Sequence, residues 1–290
     1  MTHSPKRLLV LGANGMLGNA VLRWFSQDPS YAVVGAVRRV ETVEGLRARA
    51  PSASFIACED AGDLSAMRRL LAEARPDVII NCIGIVKQLA GADAPALTIP
   101  INALLPHRLT RLAQDHGARL VHISTDCVFS GAAGNYAESD VPDAADLYGR
   151  SKLMGEVDYE NAVTLRTSII GHELHTSHAL LGWFLAQSGT VSGFSNAIFS
   201  ALPTVELARV IQEFVLPNPE LRGIYHVAGP AISKYELLQM VARVYDRGNT
   251  INAEPLPVLD RSLNAGRFEA ATGYRSPDWH EMVTRMHMFG

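Results

Sequence analysis

Cysteine is scarce in this chain, with three residues in 290, and Cys58, Cys82 and Cys127 are odd in number and lack the spacing of metal ligands. A disulfide-stapled secreted domain and a zinc ribbon are thereby excluded, and free thiols in a reducing compartment, the cytoplasm, are expected. Long apolar runs are also missing. The longest, Val78 to Val86, is interrupted by Asn81 and is far too short to span a bilayer, and the first residues are too weakly apolar for a signal peptide. No block of one charge occurs. The 26 Lys+Arg and 29 Asp+Glu leave a net charge of −3 with the signs interspersed, so neither nucleic acid nor a membrane surface is expected as a partner. There is no internal repeat, low-complexity stretch or flexible linker. What remains, 48% hydrophobic and 19% charged residues, is a globular chain with a large core.

Short apolar runs at Leu8–Leu11, Ala32–Val37, Ser54–Ala57, Val78–Ile83 and Leu120–Ser124 read as strands. Helical spacing over Met16–Gln27, Leu64–Ala74 and Asn102–His116, the last stopped by Gly117, separates most of them. Apolar strands alternating with amphipathic helices predict an α/β fold, a Rossmann-type doubly wound parallel sheet. After Val163–Thr167 the alternation breaks down. A helix ending near Gly189, one begun at Pro203, a strand at Gly223–Ala228 and a capping box at Ser233-Lys-Tyr-Glu236 then follow. The expected division is a dinucleotide-binding domain over 1–170, joined by parts of 197–230, and a smaller C-terminal substrate-binding lobe over 171–290.

Gly12-Ala-Asn14-Gly15-Met16-Leu17-Gly18 falls where the first strand turns into the first helix. Glycines there let backbone N–H groups and the helix N-terminus approach a pyrophosphate, and Gly18 permits close packing of helix on sheet. Arg38 and Arg39 end the second strand, where an acidic residue would read an NAD ribose. They suit a 2′-phosphate, or they are two solvated arginines. Asp63 and Leu64 either lie beside the adenine or open a helix, with Asp63 as its N-cap. Tyr148 and Lys152, four apart on one helix face, set an ammonium near a phenol and favour the phenolate. They follow a strand ending in Ser124-Thr125-Asp126, whose hydroxyl can hydrogen-bond a substrate carbonyl.

These motifs, in this order, resemble the extended short-chain dehydrogenase/reductases, and among them the dTDP-4-dehydrorhamnose reductase family. The likeness includes GANGMLG at 12–18, HISTDCVFSG at 122–131, NYAESD at 135–140, LYGRSKLMGE at 147–156, GIYHVAG at 223–229 and FEAATGY at 268–274. It implies a reductase using NADP(H), or NAD(H), on the 4-keto group of a nucleotide-linked 6-deoxysugar in cell-surface polysaccharide synthesis. Thr125, Tyr148 and Lys152 are implied to be catalytic, and Lys87, Asn102, Cys127, His175, Arg261 and Arg267 to lie on the substrate side. A second copy of the chain is an expected partner and no metal is implied. The chain departs from the family at Asn81–Gln88 and over Val191–Pro203. Two alternatives stay open. Cys127 with His175 resembles the acid/base pair of GDP-L-fucose synthase, an epimerase-reductase, and some relatives of these reductases are non-catalytic nucleotide-binding subunits.

Overall fold

Leu8-Leu-Val-Leu11 is buried from end to end, as a strand covered on both faces must be. It forms β1 (Lys6–Leu11) near the middle of a seven-stranded parallel sheet in the computed structural model, which describes residues 4–87 and 91–290. Gln88, at the end of the first departing segment, lies outside the described residues. From β1 the chain passes through α1 (Met16–Phe25), β2 (Tyr31–Val37), α2 (Glu44–Arg49), β3 (Ser54–Ala57), α3 (Leu64–Ala74) and β4 (Val78–Asn81). It continues with α4 (Pro95–Ile99), α5 (Leu105–Asp115), β5 (Arg119–Thr125), α6 (Leu147–Met154) and β6 (Ala162–Thr167).

Several boundaries differ from the sequence reading, and two of the differences have a plain physical cause. β4 stops at Asn81, because the Asn81 side chain accepts a hydrogen bond from the Ile83 N–H (3.1 Å) and turns the chain. The helix expected from Asn102 is already under way at Pro95, from which α4 runs through a wide turn over Pro100–Leu104 into α5 at Leu105. Pro106 has no N–H to give to the Asn102 carbonyl four residues back, so the turn opens until Leu105 N–H bonds Pro100 O.

The second half supplies β7 (Ile169–Ile170), α7 (Leu180–Leu185), β8 (Thr190–Phe194), β9 (Ala197–Phe199), β10 (Leu202–Pro203) and α8 (Thr204–Val210). Next come β11 (Gly223–His226), β12 (Ile232–Ser233), α9 (Lys234–Val244), β13 (Thr250–Glu254), β14 (Leu259–Asp260), α10 (Gly266–Thr272) and α11 (Trp279–Phe289). β11 returns to the large sheet as the edge strand beside β6, in the order β11-β6-β5-β4-β1-β2-β3. Smaller sheets pair β7 with β10, β8 with β13, and β9 with both β12 and β14.

One apolar core runs from Val10 and Val21 through Leu165 and Leu207 to Val241 and Met282, so both halves of the chain share it. The opposite face of the sheet is covered by Leu71 of α3 and by Leu109 and Leu112 of α5. On α8 the fully buried Glu206 accepts from Arg209 (2.7 Å), Tyr274 (3.0 Å) and Arg285, tying α11 to the helix that packs on α1. A buried carboxylate needs such partners to offset its desolvation. Among the described residues no helix is long and apolar enough to cross a membrane.

Candidate active site

The strand–turn–helix that opens the chain has the geometry a dinucleotide requires. Gly12 takes φ +76°, and a methyl group on Gly18 would lie 2.0 Å from the Gly12 carbonyl oxygen, so α1 rests directly on the turn. Gly15 caps α1 without a side-chain hydrogen bond, and no acidic residue stands in the first turn. The helix N-terminus therefore presents N–H groups and partial positive charge without a competing anion. Asn14 and Met16 are half-buried in the turn, Leu17 is buried in the core, and the Asn19 amide braces the turn by donating to the Gly15 and Met16 carbonyls (both 3.0 Å). Arg38 and Arg39 are exposed immediately beyond β2. Asp63 accepts from Ser65 N–H (2.8 Å) as the N-cap of α3, and Leu64 begins that helix.

The catalytic candidates meet where β5 ends. Thr125 Oγ1 accepts from Cys127 N–H (3.1 Å) and donates to Asp126 Oδ1 (3.1 Å), and its hydroxyl lies near enough to the Tyr148 phenol to act on it. Asp146 caps α6 by accepting from Gly149 N–H (2.9 Å), which starts the helix just before Tyr148. A methyl group on Gly149 would lie 2.3 Å from the Cys127 carbonyl oxygen. The helix thus seats against the Thr125–Cys127 turn, and the glycine in Tyr-Gly-Arg-Ser-Lys is what allows it.

Burial, then the charges of Cys127, Asp126 and Asp146, push the Tyr148 phenol up, and only Thr125 pulls it down. Lys152 is also brought here but in a different posture from that expected. Its buried ammonium donates to Ile123 O (2.7 Å), and the cation over the Tyr148 ring is Lys87, 5.6 Å from the centroid. The expected Lys152-stabilised phenolate is therefore not the arrangement in this structure. Burial pulls the ammonium down to about 8, opposed by Glu156 and Cys82. The Cys82 thiol beside it is pushed up to about 12 by burial, with only Lys152 pulling it down.

On the substrate side, Arg261 donates to Phe129 O (3.0 Å) and reaches Cys127 Sγ (3.8 Å), and Lys87 pairs with Asp146 (2.8 Å). Burial and Asp126 push the Cys127 thiol up to about 11, against the pull of Arg261 and Lys87. Sequence reasoning missed Lys234, which it absorbed into the capping box. Ser233 of β12 pairs with Ile198 of β9, and Arg261 N–H donates to Ile198 O, so one small sheet brings both cations to the same end. The Lys234 ammonium lies 5.9 Å above the Phe194 ring, under the charges of Asp126, Arg261 and Cys127.

Three substrate-side candidates are not brought into this group as ligands. Asn102 is fully engaged, accepting from Ile85 N–H (2.8 Å) and donating to Ile85 O (2.9 Å) and Ser151 Oγ (3.2 Å). Its amide fixes the loop after β4 to α6. Arg267 lies on α10 and turns to the sheet edge, donating to Ile224 O (3.0 Å) with its guanidinium over Tyr225. His175 is exposed, and the charges acting on Cys127 are those of Asp126, Arg261 and Lys87, so the epimerase pairing has no support in this geometry. His172 bonds Tyr245 Oη (2.9 Å), and among the described residues no group of His, Cys, Asp or Glu is set to hold a metal ion.

Residues 6–287 match the family model described as the RmlD substrate binding domain. The methionine adenosyltransferase 2 subunit beta of Xenopus laevis is 27% identical over 91% of this chain and 79% of its own length. The probable low-salt glycan biosynthesis reductase Agl14 of Haloferax volcanii is 29% identical over 87% of this chain and 85% of its own. Among solved structures, a hypothetical dTDP-4-dehydrorhamnose reductase from Sulfolobus tokodaii superposes with a TM-score of 0.75 at 26% identity, covering 94% of this chain and 98% of that one. The dTDP-4-dehydrorhamnose reductase of Bacillus anthracis, solved in complex with NADP, shares the fold with a TM-score of 0.77 at 21% identity, covering 98% and 99%.

Proposed function

The chain belongs to the RmlD substrate-binding-domain family, and from that membership and the geometry of the site we propose that it reduces the 4-keto group of a nucleotide-linked 6-deoxysugar with NADPH or NADH. The observation that carries the reading is the meeting of Thr125 and Tyr148 against the β5 turn, with Lys152 one helical turn further on. The cofactor fits the glycine turn on two counts: a cradle that Cβ atoms would fill, and a helix N-terminus without a side-chain cap. Arg38 and Arg39 would take a 2′-phosphate. When bound, the nicotinamide supplies a hydride to the keto carbon.

The chain's own groups supply the rest. Thr125 Oγ1 orients the keto oxygen toward the Tyr148 phenol, which gives up its proton as the oxygen becomes an alkoxide. A phenol pushed up by its surroundings holds that proton until an acceptor is in place. The free N–H bonds of the Lys152 ammonium are available to a ribose diol, and Arg261, Lys87 and Lys234 form a cationic wall suited to a nucleoside diphosphate.

A panel of 4-keto-6-deoxy nucleotide sugars, with NADPH oxidation followed and products identified by NMR, tests the reading. Tyr148→Phe should lower kcat by roughly 10² or more while leaving NADPH affinity within about twofold. A second reading, a nucleotide-binding subunit without turnover, is favoured by the likeness to the Xenopus subunit. Dinucleotide binding without reduction of any sugar in the panel selects it.

A further inference from the structure

β8 alternates as a strand that covers a core must: Val191 and Gly193 are buried, while Thr190, Ser192 and Phe194 face outward. Phe194 therefore sets a phenyl ring on the solvent face, 36% exposed, where its neighbours along the strand are small and polar. Of the three exposed aromatic rings among the described residues, Tyr159, Trp183 and Phe194, it alone lies under a lysine or arginine. That cation is Lys234, 5.9 Å from the ring centroid and within reach of a cation–π contact.

The strand is locked where it stands. A methyl group on Gly193 would lie 2.9 Å from Tyr235 Cα and 3.1 Å from the Ile251 side chain, so β8 rests directly on the first turn of α9, which carries Lys234. On its other side Phe194 is the partner of Glu254 in β13, and the turn that follows is closed by Ser195 N–H to Glu254 O (2.8 Å) and by the Asn196 amide to Pro255 O (3.0 Å).

From Phe194 and Lys234 a chain of contacts leads to the catalytic turn. Ser233, next to Lys234, pairs with Ile198, and Ile198 O accepts from Arg261 N–H (2.9 Å). Arg261 in turn reaches Cys127 Sγ (3.8 Å), two residues beyond Thr125. The order is an exposed aromatic face, two cations, and then the hydroxyl and phenol of the catalytic candidates. A nucleotide-linked sugar has the same order: a flat base, an anionic diphosphate, then the sugar.

We propose that Phe194 is the stacking platform for the nucleobase of the substrate, with Lys234 beside it taking the adjacent phosphate. This assignment rests on the reductase reading for its substrate. Stacking uses the face that every base has, and the polar groups next to the ring in sequence, Ser195 Oγ and the Asn196 amide nitrogen, are given to Glu254 O (3.3 Å) and Pro255 O (3.0 Å). The platform thus selects a nucleotide over a bare phosphate without choosing between bases.

The test needs no turnover. The full chain, saturated with NADP⁺ so that the cofactor cleft is filled, is titrated calorimetrically with dTDP, UDP, GDP and inorganic pyrophosphate. Phe194→Ala should weaken all three nucleotides about tenfold or more and leave pyrophosphate within about twofold, because only the base has lost its partner. Phe194→Leu, which keeps apolar bulk without a ring face, should lose most of the same affinity, and Phe194→Trp should keep it. Lys234→Gln should weaken pyrophosphate and nucleotides alike, which separates the charge from the ring. Nucleotide affinity unchanged in Phe194→Ala, or fully kept in Phe194→Leu, overturns the proposal, as does a parent that binds no nucleotide once NADP⁺ is in place. A parent affinity differing by more than about tenfold among the three nucleotides overturns the indifference to base. A nucleotide affinity that depends on Phe194, in a protein that reduces no sugar of the panel, keeps the platform and removes the reductase reading instead.

Discussion

Arg261 reaches Cys127 with one arm and the Phe129 carbonyl with another, which fixes a cation at one of the two positions, Arg261 and Arg267, that the sequence reading placed on the substrate side. Its replacement by alanine should raise the KM for the sugar nucleotide about tenfold, the worth of one charge-assisted hydrogen bond, with NADPH affinity unchanged. The Cys127 thiol, losing one of the cations that pull it down, should also alkylate more slowly at pH 8. A faster reaction, or a loss confined to NADPH, moves Arg261 away from the substrate. At this scale the motifs that meet were legible because backbone geometry demands them: Thr125 ends a strand and Tyr148 follows a cap. Orientation was not. Spacing of four placed Lys152 on the face of Tyr148, but the nearest strong acceptor to its ammonium is a main-chain carbonyl of β5, which has no sequence signature.

The element that bears most directly on the proposed cofactor is α1, held on the first turn by the absence of a side chain at Gly18. Gly18→Ala must push the helix away from the Gly12 carbonyl, at a cost of about 1–3 kcal/mol in urea unfolding, and should weaken NADPH binding at least tenfold. Gly117→Ala is the comparison. That residue has φ +66° and nothing within 4 Å of where a methyl group would sit, so it should lose stability through backbone strain alone and keep its NADPH affinity. The order of elements was readable because period-two and period-3.6 patterns alternate cleanly as far as β6. The wide turn at Pro100–Leu104 was not, because a periodicity reading runs through Asn102 without noticing that Pro106 has removed a donor. Asn102, placed on the substrate side by the family resemblance, is here the clasp between the β4 loop and α6. In the small sheets of the second half four strands are only two residues long and leave too little pattern to read, and Lys234 was hidden with them.

Across the whole molecule, His122, His172 and His226 are all held below the ordinary histidine value, chiefly by burial. The folded chain keeps them neutral while the unfolded chain takes up protons below about pH 6.5. The unfolded state thus binds more protons as the medium is acidified, and stability present above that pH is lost as it falls, by up to about 1.4 kcal/mol per pH unit for the fully buried His122 and by less for the other two. The melting temperature should drop between pH 7.5 and 5.5, less steeply in His122→Asn. A flat profile would show that these imidazoles take up protons in the fold as readily as in the unfolded chain.

The return of β11 to the edge of the large sheet, with α11 laid over α8 and α9 and its Phe289 against Arg23 and Trp24 of α1, has a consequence for the order in which the fold can close. Residues 6–167 supply six of the seven strands of the large sheet, yet that sheet lacks its edge strand until Gly223–His226 has been made, and Arg23 and Trp24 of α1 lack their Phe289 contact until α11 has. Contacts so distant in sequence slow folding. The first half therefore closes only when segments of the second pack on it, and the two are expected to fold as one cooperative unit.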